Sequence, residues 1–349
     1  VSEHPFYNQA LHGPYQQFAL GDLALEDGGV IHDAWLAYTT FGSLNARRDN
    51  AILIGTWYAG SSKIFETAYI GAGRALDPAH WFIIVVNQLG NGLSSSPSNT
   101  RLPAGAAFPR VRIGDDVQAQ HRLVTEKFGI SRLALVTGGS MGAQQTFEWA
   151  VRFPDMVARA APFCGTARTT DYNRLCVGVL ADALMSDPGW RDGRYADRAD
   201  VQLGLRRHAN RLAVLGFSAE FYRRELWRGL GCAQLSDFLS GFLEQFMLPM
   251  DPNNLLCMNW KWQHADVSRH TGGDLEAALR RISARTFVLP TDQDIYFPPQ
   301  DCASEQALIR SSEMRVLQSP FGHTALVGID PDWMRQFDHH VGELLSLPA

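Results

Sequence analysis

The chain has no uninterrupted apolar run approaching about 18 residues, so no membrane-spanning helix is expected. It has little excess charge. Lys and Arg number 31 against 36 Asp and Glu, a formal net charge of -5. That balance provides no basic footprint for nucleic acid or an anionic membrane surface. Cysteine is sparse and unpatterned: Cys164, Cys176, Cys232, Cys257 and Cys302 are five in number and form no C-x-x-C pair. A disulfide framework and a zinc ribbon are thereby disfavoured, and a reducing, cytoplasmic setting fits best. No spacing of metal ligands, no dinucleotide fingerprint and no phosphate loop is found, so neither metal nor cofactor is expected. The opening stretch lacks a basic segment followed by an apolar one, so no secretory leader is read there. Internal repeats and low-complexity tracts are also missing.

What is present is an ordinary globular composition, 349 residues of which 46% are hydrophobic, with length enough for a large core. Residues up to about 50 alternate polar and apolar positions around Asp27-Gly28-Gly29, which predicts an antiparallel hairpin. Short all-apolar runs follow at Ala51 to Ile54, at Trp81 to Val86 and in "RLALVTGG". Such runs suit strands buried on both faces of a parallel sheet. Helical segments stand between them: "DDVQAQHRLVTEKFGI", with Asp115 or Asp116 serving its N-terminus, and "MGAQQTFEWAVRF", closed by Pro154. The alternation predicts an α/β fold, a mostly parallel sheet with helices on both faces.

The pattern breaks after about residue 165 and resumes near 266, with strands in "ARTFVLPTDQD" and "EMRVLQSPFGH" and a last helix through "PDWMRQFDHHVGELLSL". The expected organisation is a core of residues 1–165 and 266–349 interrupted by a helical lid at 166–265. Within the lid, Leu235, Phe238, Leu239, Phe242, Leu243 and Phe246 fall on one helical stripe. Packing inside the lid is the expected use of that stripe. Covering a pocket and joining a second copy as a homodimer are the alternatives.

Gly138-Gly139-Ser140-Met141-Gly142 fits G-x-S-x-G between a buried strand and a helix. A serine hydroxyl is a weak nucleophile and must stand clear of the sheet beside a base. A sharp turn with small neighbours achieves this, and the helix N-terminus aims amide donors at developing negative charge. The Met141 N–H is one candidate oxyanion donor. The other is the Tyr58 N–H, with that of Trp57 next, in the "GTWYAG" loop after the first buried run. The acid and base are expected downstream in that order. Asp294 and Asp292 are the rival acids, and His323, in the loop after the last strand, is the candidate base among eleven histidines. Trp57, Tyr58, Trp260, Trp262 and Phe321 are candidate walls of a substrate pocket, with core packing as the alternative for each.

At this point the sequence resembles the homoserine O-acetyltransferase family of α/β-hydrolase-fold proteins over nearly its whole length. The likeness is carried by "NQLGNGLSSSPSNT", "FPRVRIGDDVQAQHRLV", "GGSMGAQQTFEWAVRFPD", "ALMSDPGWRDGRY", "MDPNNLLCMNWKWQHADV", "DQDIYFPP" and "FGHTALVG". It implies Ser140 as nucleophile, Asp294 as acid and His323 as base. Asp294 is preferred over Asp292 because the family's acid lies four residues before a proline, here Pro298. Two departures stand out. Thr324 replaces the aspartate that meets the substrate ammonium in the family, and Ala181 replaces the arginine that meets its carboxylate. A zwitterion such as homoserine needs both opposite charges. The expectation is therefore a serine hydrolase cleaving a small-molecule carboxylic ester through an acyl-enzyme. The alternative is an O-acyltransferase that uses acyl-CoA and an alcohol other than homoserine. A non-catalytic ligand receptor on the same fold is a third reading, which the full set of candidate residues argues against.

Overall fold

The computed structural model describes residues 4–101 and 107–348. Among these, eight strands form one sheet: β1 (Gln16–Ala24), β2 (Val30–Phe41), β3 (Ala51–Gly55), β4 (Phe82–Val86), β5 (Leu135–Gly139), β6 (Arg159–Phe163), β7 (Arg285–Val288) and β8 (Ser312–Met314). Their order is β1-β2-β4-β3-β5-β6-β7-β8. β1 and β2 form the antiparallel hairpin, with Gly28 and Gly29 at φ 87° and 88° in its turn. β2 runs antiparallel to β4, and the remaining pairs are parallel.

The all-apolar strand runs divide between two cores, as the two-residue period of a strand requires. Leu53, Ile84, Val86, Val136 and Val288 face one side. Ile52, Ile54, Ile83, Val85, Leu135 and Phe287 face the other. The helices of seven or more residues are α1 (Ser62–Ala68), α2 (Ile113–Arg122), α3 (Met141–Arg152), α4 (Asp171–Met185), α5 (Gln202–Gly216), α6 (Pro252–Gln263), α7 (Pro299–Gln306) and α8 (Pro331–Ser346). Side chains of α2 and α3 join the first core, and those of α1 and α8 the second, so helices cover both faces. None of the described helices is long and apolar enough to cross a membrane. All five cysteines are free.

At the start of α2, Asp115 Oδ2 accepts the Arg112 N–H at 2.7 Å and so serves the helix N-terminus. Asp116 turns inward instead. Its Oδ1 accepts the Leu89 N–H at 2.7 Å, and its Oδ2 meets Lys261 Nζ of α6 at 2.5 Å. Lys261 Nζ also donates to the Leu89 carbonyl at 2.6 Å. Both charged side chains are fully buried.

Helices α4 to α6 lie between β6 and β7. The chain leaving β6 and the chain returning to β7 are stitched together at a neck. Thr169 N–H donates to the Ala265 carbonyl at 3.0 Å, and Val267 N–H to the Ala167 carbonyl at 3.3 Å. The apolar stripe at 235–246 is not one regular α-helix. Phe238–Leu243 is a π-helical turn between the short α segments Leu235–Asp237 and Glu244–Met247. The wider turn shifts the phase of the helix. Phe238, Leu243 and Met247 are buried, while Leu235, Phe242 and Phe246 are exposed by 44%, 36% and 44%.

Candidate active site

The chain passes from β5 to α3 at Ser140, whose φ of 54° and ψ of -119° lie outside the regions a serine ordinarily adopts. Such a conformation costs about 1–3 kcal/mol and persists only when its surroundings enforce it. The neighbouring glycines let the surroundings close in. A Cβ on Gly142 would stand 2.4 Å from the Gly55 carbonyl oxygen, and one on Gly139 would meet the Phe163 ring at 2.3 Å. The Ser140 N–H is held by the Phe163 carbonyl at 3.0 Å. Met141 is the first residue of α3, so its N–H is a donor without an intrahelical acceptor.

The other candidates also leave carboxyl ends of parallel strands, where open α/β sheets place their ligands. Tyr58 follows β3, Asp294 follows β7, and His323 follows β8. Asp294 Oδ2 lies 2.6 Å from His323 Nδ1, and its Oδ1 accepts the Phe297 N–H at 3.0 Å. The Asp294 side chain is fully buried. Asp292 is engaged elsewhere, its Oδ1 accepting the Ser319 N–H at 2.9 Å. The His323 ring is flanked by Tyr296 and Phe297, with centroids at 5.1 and 5.6 Å. With Nδ1 committed to Asp294, Nε2 is the ring nitrogen left for chemistry.

Ser140 and His323 line one cavity of about 230 Å³. Trp57, Tyr58 and Trp262 are among its walls, together with Phe217, Leu243, Met247 and Tyr296. Trp260 and Phe321 are not. Trp260 lies under the guanidinium groups of Arg110 and Arg112 at 5.2 and 5.1 Å, stacks on His264 at 4.2 Å, and lines a separate surface groove. Two residues apart on α6, Trp260 and Trp262 are turned about 200° from one another, so one of them must face away. Phe321 packs on Phe221 at 5.3 Å and borders another groove, because Gly322, at φ 65°, turns the chain between it and His323.

Several residues of the site carry no signal in the sequence. Phe217 and Met247 are distant from the motifs and come from the segment between β6 and β7, while Tyr296 stands two residues after Asp294 in the "DQDIYFPP" loop. His208, on α5, is fully buried, with its Nε2 3.0 Å from the Tyr58 hydroxyl and its Nδ1 3.0 Å from the Leu180 carbonyl. Burial pushes its pKa down to about 4, and burial likewise pushes the Tyr58 phenol up.

His208 makes stability depend on pH. Unfolded, the imidazole titrates near 6.5; folded, it titrates near 4. Between these values the unfolded chain binds more protons. The contribution is complete above pH 6.5 and is lost as the pH falls toward 4, roughly 3 kcal/mol in all. Urea unfolding of His208→Gln over this range is expected to show a shallower slope than the parent; equal slopes would contradict it.

Among the described residues lining the cavity there is no Asp, Glu, Lys or Arg. Thr324 is present, its hydroxyl donating to the Phe321 carbonyl at 2.8 Å. Ala181 is buried on α4, and Arg168 and Arg174 are exposed away from the cavity. Among the described residues one group of potential metal ligands, His339, His340 and Glu343, lies on α8 outside the cavity. Glu343 is there already paired with Arg315 at 3.1 Å.

A strained serine between a parallel strand and a helix, sharing a cavity with a carboxylate-bound histidine, is the arrangement of an α/β-fold serine enzyme. Residues 52–327 match the α/β hydrolase fold family, and the chain belongs to that family. It is 52% identical to an ethyl acetate hydrolase of Pseudomonas veronii over 345 residues, 99% of each chain. The crystal structure of an acetylester hydrolase from Corynebacterium glutamicum superposes with a TM-score of 0.97 at 49% identity, covering 99% of this chain and 100% of that one. A homoserine O-acetyltransferase of Trichormus variabilis is 30% identical, covering 93% of this chain and 92% of its own.

Proposed function

We propose that the protein is a carboxylic ester hydrolase acting on small, uncharged esters, acetyl esters first among them. The observation that carries this is His323, bound to Asp294 at 2.6 Å, lining with Ser140 a cavity that has no charged wall among the described residues. At about 230 Å³, that cavity is smaller than the roughly 300–1,000 Å³ typical of drug-sized ligands. The names of the two relatives at about half identity point the same way.

In this reading His323 Nε2 takes the Ser140 proton as Oγ attacks the ester carbonyl. The N–H groups of Tyr58 and Met141 hold the oxyanion, and Asp294 keeps the imidazole oriented and stabilises its positive charge. The imidazolium then protonates the departing alkoxide, leaving an acyl-serine. Water, deprotonated by His323, attacks that acyl group; the acid leaves and the Ser140 hydroxyl is restored. The helices at 166–265 act as the lid. A homodimer through the lid is supported by the exposure of Leu235 and Phe246, and light scattering tests it.

The cavity supports hydrolysis over transfer to homoserine. Its walls carry no carboxylate for the ammonium and no cation for the carboxylate. Offered acetyl-CoA with homoserine, and separately ethyl acetate in water, the protein is expected to release acetate from the ester and to form no O-acetylhomoserine. Acyl transfer to alcohols outrunning hydrolysis would overturn the reading. The exposed rings Phe242 and Phe246 border the cavity, so Phe246→Ala is expected to raise kcat/KM on six- to eight-carbon acyl esters by about tenfold. Acetyl esters should change little. A chain-length profile of p-nitrophenyl esters measures this.

A further inference from the structure

The turn after β3 has a conformation that its own sequence does not favour. Gly60 N–H closes it on the Trp57 carbonyl at 3.1 Å, and Ala59 sits at φ 58°. A positive φ at the third position is the signature of a type II turn, where glycine or asparagine is usual. An alanine there must be held from outside. The two side chains of the turn anchor it in opposite directions. Trp57 goes into the lower core against Phe65, with ring centroids at 4.6 Å. Tyr58 rises toward the lid, its ring 5.8 Å from that of Trp262 and its hydroxyl 3.0 Å from His208 Nε2.

The hydrogen-bond direction along this line is fixed by chemistry. The Leu180 carbonyl can only accept, so His208 Nδ1 carries the proton. Neutral His208 then presents a bare Nε2, and the Tyr58 hydroxyl donates to it. All of these groups are buried. Leu180 belongs to α4, His208 to α5 and Tyr58 to the core. One line of hydrogen bonds therefore runs from two helices of the lid to the turn after β3.

We propose that His208 is a positioning residue for ester turnover, through which the lid holds the Tyr58 turn in the geometry that accepts the oxyanion. This rests on the reading of the Tyr58 N–H as an oxyanion donor. The N–H and the side chain of Tyr58 belong to one residue, so a turn that relaxes when the hydroxyl is released carries the amide with it. A displacement of about 1 Å in a reacting geometry costs on the order of 100-fold.

The test uses Tyr58→Phe, His208→Leu, the double variant, and His208→Gln, whose side-chain carbonyl can accept the tyrosine proton. Rates are normalised to sites titrated with a fluorophosphonate, so that misfolded protein is not counted. Tyr58→Phe, which removes one oxygen, keeps the test informative if His208→Leu does not fold. Expected are a kcat on p-nitrophenyl acetate lowered by about 10- to 100-fold in each single variant and a KM changed by less than about threefold. The double variant should be no slower than the slower single, and His208→Gln should recover much of the rate. Affinity for an acetyl-ester-like boronate, which places an oxygen in the oxyanion site, should fall in parallel with kcat. Unchanged kcat per titrated site with a lowered melting temperature would overturn the proposal, leaving a purely structural contact. So would independent, multiplicative losses in the double variant. Lowered kcat with unchanged boronate affinity would overturn the oxyanion reading while leaving ester hydrolysis intact. A parent protein that neither labels at Ser140 nor hydrolyses the ester would overturn both.

Discussion

Replacing Ser140 by alanine is expected to lower kcat on a short ester by roughly 10⁴–10⁶-fold. The substitution removes one oxygen at a residue that is only 2% exposed, and leaves the turn's other supports in place. The Ser140 N–H remains on the Phe163 carbonyl, and Gly142 still lets α3 approach the Gly55 carbonyl. Alanine has the same backbone restrictions as serine at φ 54°, so the melting temperature should move little. Loss of activity would then report chemistry and not unfolding. The measurement is steady-state hydrolysis of p-nitrophenyl acetate, with the variant purified away from host esterases. Retention of the parental rate would show that another group attacks the ester.

The second large effect is one of stability. Lys261→Met is expected to cost about 3–5 kcal/mol, because it leaves Asp116 buried without its counter-charge. Burial already pushes the Asp116 carboxyl above its ordinary value, with Lys261 opposing that shift. Against a total of about 5–15 kcal/mol for a typical domain, such a loss is a large fraction. The pair ties α6 to α2 and to the loop after β4. The same helix carries Trp262 into the cavity, so the loss should also weaken ester turnover. Asp116→Asn combined with Lys261→Met keeps an acceptor for the Leu89 N–H and buries no charge. Urea unfolding is expected to show the double variant recovering most of the single variant's loss. Equal or additive losses would mean that the ion pair is not the source.

The sheet was legible because burial on both faces leaves no polar position in a strand. Ala51 to Ile54 and Phe82 to Val86 read as continuous apolar runs for that reason. The turn at Ser140 was legible because a tight approach excludes every side chain larger than hydrogen at Gly142. The lid was harder. Apolar spacing at 235–246 predicted a regular helix, and a single π-helical turn moved Phe242 and Phe246 off the buried face. Trp260 and Trp262 were indistinguishable by composition, and only their angular separation on α6 assigns one to the cavity.

From order and local chemistry, the sequence by itself determined the class of fold and offered Ser140, His323 and the rival acids Asp294 and Asp292 as candidates. The resemblance to the homoserine O-acetyltransferase family implied, through Ala181 and Thr324, that the charged partners of a zwitterion are missing. The tertiary structure shows the partnerships. It bonds Asp294 and not Asp292 to His323, joins Asp116 to Lys261, and joins Tyr58 to His208. Residues 145 and 150 positions apart have no shared periodicity. Their pairing is fixed by the burial of polar groups, which in an apolar interior must find partners wherever the packed chain brings them within reach.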